Sequence, residues 1–582
     1  MLHRAKALAS PLLIRKHHSS KTATSRWRAS STARDKSKPP IYLSLPDKSD
    51  VNHPFFNYTS GRWLYNEQTR RDERHLVFDA RALLQIIVES VNRQIDCVST
   101  FSKFAEGGSY RIFEAVFDDK TAAIARLPYP CTLPPSFGIA SEVATMQFLR
   151  LHGVPVPQLY AWAPSAENAV GSAYIIMAKV EGQELEHTWY DMSVSERMNM
   201  IEKVVQIERR LFQIQLPASG SIYHRTFLDS QQGVDQVPIT TADTDENEFS
   251  IGPSNEYLWW YARRDEVAVN RGPWLQSEDV MKSVGERELA WLEKFANPRY
   301  PREPLYRAFY DNREVRPDIQ IQVLRDYLNL VPLLVPEQAK LTKPTIRHPD
   351  LSPSNIFISD TGEITGLIDW QHTSVLPLFL QAKIPKHFQN WGDEDSENFR
   401  APRLPESFDD LEESEQISAL ETYRKRQMHY FYVGYTERHN KPHFEAIGKP
   451  HLVMVNNLYD IAARPWEGDN TSLKAEIIKL SRRWFDTTPS RTREIFPVNY
   501  TEKEITQCLA IDEKQQEADA QMQTLRDCFT TNIDGWVSSE LYEQAKARAE
   551  DVRQQMVDAA DTDEERREIE ENWPFHDHVE ID

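Results

Sequence analysis

Between Thr345 and His372 the chain reads TIRHPDLSPSNIFISDTGEITGLIDWQH, which sets His348, Asp350, Asn355 and Asp369 among short apolar runs. NIFIS and ITGLID are strand-like, and DTGE between them is turn chemistry. Asn355 and Asp369 stand seven residues either side of Gly362. A hairpin symmetric about that glycine brings both side chains to the same open end of neighbouring strands, to within the one residue a bulge would add. An amide oxygen and a carboxylate there make a hard, oxygen-rich site suited to Mg²⁺. Asp350 lies five residues before Asn355 in a Pro-bounded loop, close enough to act as base for a substrate hydroxyl near that metal.

Such a loop needs a scaffold, and the upstream pattern supplies one. CVSTFSKFAEGGSYRIFEAVFDDKTAAIARLPYP reads as three strands, ending at Glu106, at Phe117 and before Pro128. A helix follows around ASEVATMQFLRLH, and AYIIMAKVEG is a further strand. This predicts a small antiparallel sheet with one helix, an α+β lobe. Ahead of it, Leu83, Ile86, Ile87 and Val91 have helical spacing. Behind it, residues 193–216 and SEDVMKSVGERELAWLEKFA are helical, the polar stretch 229–255 reads as an exposed loop, and the chain is helical from about 411 onward.

Composition narrows the class. The 582 residues exceed one simple domain, and 40% hydrophobic residues with 14 Trp supply a large core. No run approaches the roughly 20 apolar residues of a membrane span; LLQIIVESV and LNLVPLLVP are about half that. A net charge of −20 argues against a nucleic-acid partner. Cys97, Cys131, Cys508 and Cys528 form no CxxC pair, which fits a reduced compartment better than a zinc site or a disulfide framework. The first 40 residues differ from the rest: Arg-, Lys- and Ser-rich, with Asp35 their one acid, they read as a mitochondrial transit peptide.

H-x-D-x-x-x-x-N followed by a strand pair and a second Asp is the spacing of a kinase-type catalytic loop. On HPDLSPSN and GLIDW the chain resembles the aminoglycoside phosphotransferase-type branch of the protein-kinase-like fold, which also holds choline and homoserine kinases. More narrowly, FFNYTSGRWLYNE, EGGSYRIFEAVF, AIARLPYP and LIDWQHTSVLPLFLQA resemble the fungal mitochondrial group called altered inheritance of mitochondria protein 9, over nearly the whole chain. His-Pro-Asp also marks J-domain cochaperones, where it joins two helices; the β-hairpin that follows it here argues against that context.

The resemblance implies a bilobal α+β fold with a small antiparallel-sheet N-lobe, a mostly helical C-lobe and a helical C-terminal extension. It divides the chain into a leader at 1–40, an N-terminal extension at 41–95, the N-lobe at 96–182, the C-lobe at 183–410 and a helical region at 411–582. It makes Asp350 the catalytic base, His348 a prop for the loop, and Asn355 and Asp369 the Mg²⁺ ligands. Gly107, Gly108 and Ser109 then form the phosphate turn, Arg126 is the strand-borne cation with Glu142 as its helix partner, and the strand near Met177 meets the adenine of ATP. Two features depart from the pattern. Arg126 stands where a Lys is usual, and the two are not interchangeable. TSVLPLFLQAKIP is apolar where many aminoglycoside kinases are acidic. Two function classes therefore stay open: an ATP–Mg²⁺ phosphotransferase acting on a hydroxyl of an unknown small molecule in mitochondria, and a weakly active or inactive nucleotide-binding scaffold of the same fold.

Overall fold

The computed structural model describes residues 44–240, 248–484 and 496–578; the expected leader at 1–40 lies outside them. The described chain begins with a short strand β1 (Gly61–Trp63) and two helices, α1 (Glu67–Glu73) and α2 (Ala80–Ser90). Asp79 caps α2 by accepting the Ala82 N–H at 2.9 Å. Strands β2 (Val98–Glu106), β3 (Tyr110–Phe117), β4 (Ala122–Pro128), β5 (Leu159–Ala163) and β6 (Tyr174–Ala178) form one antiparallel sheet in the order β2-β3-β4-β6-β5.

Directly paired residues share a face of a sheet, so the register sorts its side chains. Phe113, Ala125 and Ile176 pair across one face. It is covered by α2, whose Leu83, Leu84, Ile87 and Val88 share a core with them. Ile112, Arg126 and Ile175 pair across the other face, together with Ile124 and Met177. The helix α3 (Phe137–Leu151) packs on that side, with Val143 and Met146 in one core with Ile175 and Met177. The N-terminal extension thus covers the outer face and leaves the other for a cleft.

A two-residue strand β7 (Gln183–Glu184) leaves this lobe and joins Ile356–Ile358 and Ile364–Leu367 in a three-stranded sheet. Gly366 sits where a Cβ would meet Val180 Cγ1 at 2.6 Å, so only glycine permits this close packing. Thr365 also donates to the Glu181 carbonyl at 2.6 Å. The connection between the lobes is thereby fastened to the hairpin that carries Asp369.

The rest is mainly helical. Val194–Gln213 starts with a capping box between Ser193 and Glu196. The 27-residue helix Glu413–His439 packs along it. Part of the expected loop at 229–255 is instead a buried strand, Phe249–Gly252, paired with Ser221–His224. Its four residues are too few for alternation to announce a strand, and burial decided the outcome. The C-terminal helices Glu502–Phe529 and Tyr542–Asp558 flank Trp536–Ser538, which pairs antiparallel with β1 across some 475 residues of chain. A Cβ on Gly61 would overlap the Trp536 indole, at 2.2 Å from Nε1. Arg62 lies 3.7 Å over the Tyr542 ring and bonds Glu67 and Glu543. The N-terminal strand β1 and the C-terminal segment therefore clasp each other.

Candidate active site

The loop that starts the site follows a short strand, Pro344–Ile346, and its first residue is a buried arginine. Arg347 donates to Glu208 at 2.9 Å, to the Gln381 carbonyl at 3.0 Å and to the Tyr432 hydroxyl at 3.3 Å. It therefore ties the loop to the helices Val194–Gln213 and Glu413–His439. His348 comes next. Its Nδ1 accepts the Asp350 N–H at 3.1 Å, and its Nε2 lies 2.8 Å from the Ile368 carbonyl. That pairing requires the neutral tautomer with hydrogen on Nε2. Burial supports it by pushing the imidazole pKa below its usual value. One side chain thus pins the loop to the residue before Asp369.

Asp350 is exposed, and among the described residues no cation lies within ion-pair distance of it. Its neighbours only orient it. Asn355 Nδ2 donates to the Asp350 carbonyl at 2.9 Å and to Oδ2 at 3.2 Å, and Ser352 Oγ approaches Oδ2 at 3.4 Å. Pro353 opens a single 3₁₀ turn, Pro353–Asn355, that sets the amide in this position. With both contacts made by Nδ2, the Asn355 oxygen remains for another partner.

The hairpin register differs by one residue from the symmetric expectation. Ile356 pairs with Leu367, and a bulge lies between Phe357 and Ile358. Ile368, not Asp369, is opposite Asn355, its N–H bonding the Asn355 carbonyl at 3.0 Å. Asp369 follows with φ +67°, a left-handed conformation that aspartate tolerates better than most residues. That turn brings Oδ1 to 3.3 Å from Arg126 Nη2.

On the sheet side, Arg126 is clamped from three directions. Its Nη1 bonds Glu142 Oε1, Nη2 reaches Asp369, and the guanidinium carbon lies 4.2 Å over the Tyr110 ring. The Tyr110 hydroxyl in turn donates to Glu142 Oε2 at 2.9 Å. Burial works against the charge on Arg126, yet Glu142, Tyr110 and Asp369 together hold its pKa above the usual guanidinium value. Tyr110 was not singled out from sequence; its place directly after the Gly turn, paired across the sheet with Pro128, was the available signal.

Gly107, Gly108 and Ser109 form the turn between β2 and β3, closed by a Gly107 N–H to Tyr110 carbonyl bond of 2.9 Å. A Cβ on Gly108 would meet nothing within 4 Å, so the backbone there is open to a ligand. The stem is rigid. Glu106 accepts from the Thr59 and Ser60 N–H groups at 2.8 and 2.9 Å, from Lys103 at 2.8 Å and from Arg111 at 3.2 Å. Met177 is buried on the cleft face, paired with Ile124. Direct contacts join Asp350, His348 and Asn355 on the loop and Asp369, Arg126 and Glu142 across the cleft, and the backbone of Ile368 links the two groups. The glycine turn connects to them through Tyr110, and Met177 lies on the same sheet face.

No group of three or more His, Cys, Asp or Glu among the described residues could hold a metal by itself. The chain offers one free amide oxygen and one half-exposed carboxylate, whose second oxygen makes no contact with Arg126. That donor set fits Mg²⁺, which keeps few protein ligands and fills its octahedron with phosphate oxygens and water. Two cavities flank the site. One, of about 1060 Å³, is lined by Asp350; the other, of about 820 Å³, is lined by Gly108, Ser109, residues of α1 and the C-terminal Asp534 and His578. His372 borders both.

Residues 100–380 match the phosphotransferase enzyme family APH. A subtelomeric hrmA-associated cluster protein of Aspergillus fumigatus is 29% identical over 83% of this chain and 98% of its own length. The mitochondrial altered inheritance of mitochondria protein 9 of Yarrowia lipolytica is 26% identical over 90% of this chain and 92% of its own. Among solved structures, the streptomycin–ATP ternary complex of the aminoglycoside phosphotransferase APH(2″)-IIa is 11% identical, with a TM-score of 0.31, covering 70% of this chain and 97% of that one. The architecture is α+β: a five-stranded antiparallel sheet followed by a mainly helical part.

Proposed function

Residues 100–380 match the APH phosphotransferase enzyme family, and from that match we propose that the protein transfers the terminal phosphoryl group of ATP–Mg²⁺ to a hydroxyl of a small molecule in mitochondria. The observation that carries this reading is the set of contacts that binds Asp350, His348 and Asn355 to the Ile368 backbone, directly before Asp369, and Asp369 in turn to Arg126 and Glu142. Nothing in a purely structural turn calls for an exposed, unpaired Asp350 beside an amide with a free oxygen.

Asp350 orients the acceptor hydroxyl and takes its proton. The Asn355 amide holds the carboxylate in place through Oδ2 and keeps its own oxygen, with that of Asp369, for Mg²⁺. When bound, the metal neutralises charge on the transferring phosphoryl. Arg126, fixed by Glu142 and Tyr110, presents charge to the trailing phosphates, and the Gly107–Gly108 backbone approaches them from above. The cleft face of Ile112, Ile124 and Met177 offers an apolar slot for the adenine. Mitochondrial action follows the names of relatives such as the Yarrowia lipolytica protein, and it agrees with the basic leader.

One observation favours the alternative, a nucleotide-binding scaffold without turnover. The Arg126–Asp369 contact engages a candidate metal ligand with a cation. Phosphoryl transfer or ATP hydrolysis, measured on the wild type and on Asp350→Ala, separates the two. Transfer by the wild type that disappears in the variant supports the enzyme; ATP binding with no turnover in either supports the scaffold.

A further inference from the structure

The larger cavity beside Asp350 carries chemistry that neither the family match nor the nucleotide site accounts for. One wall is the helix Pro450–Ala462. On it, Asn456 is 94% buried, and its carbonyl oxygen has no hydrogen-bond donor. That oxygen is itself enclosed by protein, and the amide nitrogen, which makes no hydrogen bond either, is the atom left to a ligand.

The charges around the cavity are unequal in their commitments. Arg347 is bound to Glu208, and Lys383 to Asp460 at 2.6 Å. Lys386 and Arg464 have no carboxylate within 4 Å among the described residues, and both are exposed at the cavity. Glu256 and Glu397, which also line the cavity and have no cation within 4 Å among the described residues, are carboxylates able to accept a hydroxyl hydrogen. The exposed face of Trp391 adds a flat apolar surface of the kind that sugar rings and other polyols rest on.

We propose that this cavity takes a hydroxylated small molecule that also carries an anionic group, a carboxylate or a phosphate. This rests on the phosphotransferase reading and names the acceptor class for it. One hydroxyl faces Asp350, a second oxygen accepts from the Asn456 amide nitrogen, and the anion lies against Lys386 and Arg464. A polycation would bring its charge against those same two residues, which disfavours the aminoglycoside-like alternative.

The test is calorimetric titration of the full chain, saturated with magnesium and a non-hydrolysable ATP analogue. The probes are gluconate and glycerol 3-phosphate as anionic polyols, sorbitol as a neutral polyol and kanamycin as a polycation. At least one anionic probe is expected to bind about tenfold or more tightly than sorbitol and kanamycin, as direct ionic recognition would give. Lys386→Ala combined with Arg464→Ala is expected to remove that advantage without unfolding the protein, since both residues are exposed. Kanamycin binding tightest overturns the proposal. So does failure of both anions at about 10 mM, or anion binding that survives in the double variant. Nucleotide binding is titrated first on the same sample. Its absence beside intact anion binding counts against the phosphotransferase reading alone, and its presence beside failed anion binding counts against this proposal alone.

Discussion

The two sides of the cleft treat charge in opposite ways. On the sheet side, Arg126 is buried, stacked on Tyr110 and ion-paired with a wholly buried Glu142. On the loop side, Asp350 is exposed and only oriented by Asn355 and Ser352. The sheet-side cation is part of what holds the lobe together; the loop-side carboxylate is free to exchange a proton. Substitutions on the first side should cost stability as well as binding, and substitutions on the second should cost chemistry alone.

Glu142→Ala should give the largest structural effect. It strands a buried guanidinium, and breaking such a pair costs about 3–5 kcal/mol. Chemical denaturation is expected to show a loss of that size; a loss below about 1 kcal/mol would mean that Tyr110 and Asp369 suffice for Arg126. Asp350→Asn should lower turnover by about 10²- to 10⁴-fold, the usual worth of a positioned base. Its melting temperature and nucleotide affinity should stay at wild-type values, and a clear fall in either would erase the contrast between the two sides.

The pH dependence should sharpen the contrast. Burial lowers the pKa of His348 and lowers that of His443 well below the usual value. The unfolded chain therefore takes up these protons near pH 6.5, and the folded chain only at lower pH. Between the two values the unfolded state binds more protons, so stability falls as pH drops. His429, pushed down to about 4 by burial, carries the effect to that pH. Denaturation midpoints measured from pH 7 to pH 4 should show a loss of up to about 1.4 kcal/mol per pH unit for each such imidazole. Turnover should fall over the same acid range, because protonated His348 can no longer accept the Asp350 N–H. The smallest effect is expected for Asn456→Leu. It removes an amide whose carbonyl has no internal donor, so stability should change by less than about 1 kcal/mol.

Local features of the site were legible in the sequence, and long-range ones were not. The hairpin and the loop before it follow from short spacings, turn residues and strand alternation, and the Arg126–Glu142 pairing from the resemblance alone. The register was not readable to the residue, because the bulge between Phe357 and Ile358 has no side-chain signature. Nor could the clasp of β1 on Trp536–Ser538 be read: strands of three residues carry no period, and their partners are separated by most of the chain. Arg347 and Glu208 escaped notice for a similar reason. Each looks like an ordinary charged residue, and only the fold buries them together.

The central claim is that Asp369 and Asn355 form a working metal–nucleotide site beside Arg126. Its most direct test is calorimetric titration of the protein with ATP, with and without magnesium, beside Asp369→Ala. The account predicts binding that requires magnesium and disappears in the variant. A folded wild type that binds no ATP at about 1 mM, the upper range of ordinary substrate constants, or a variant that binds it as tightly as the wild type, would contradict it.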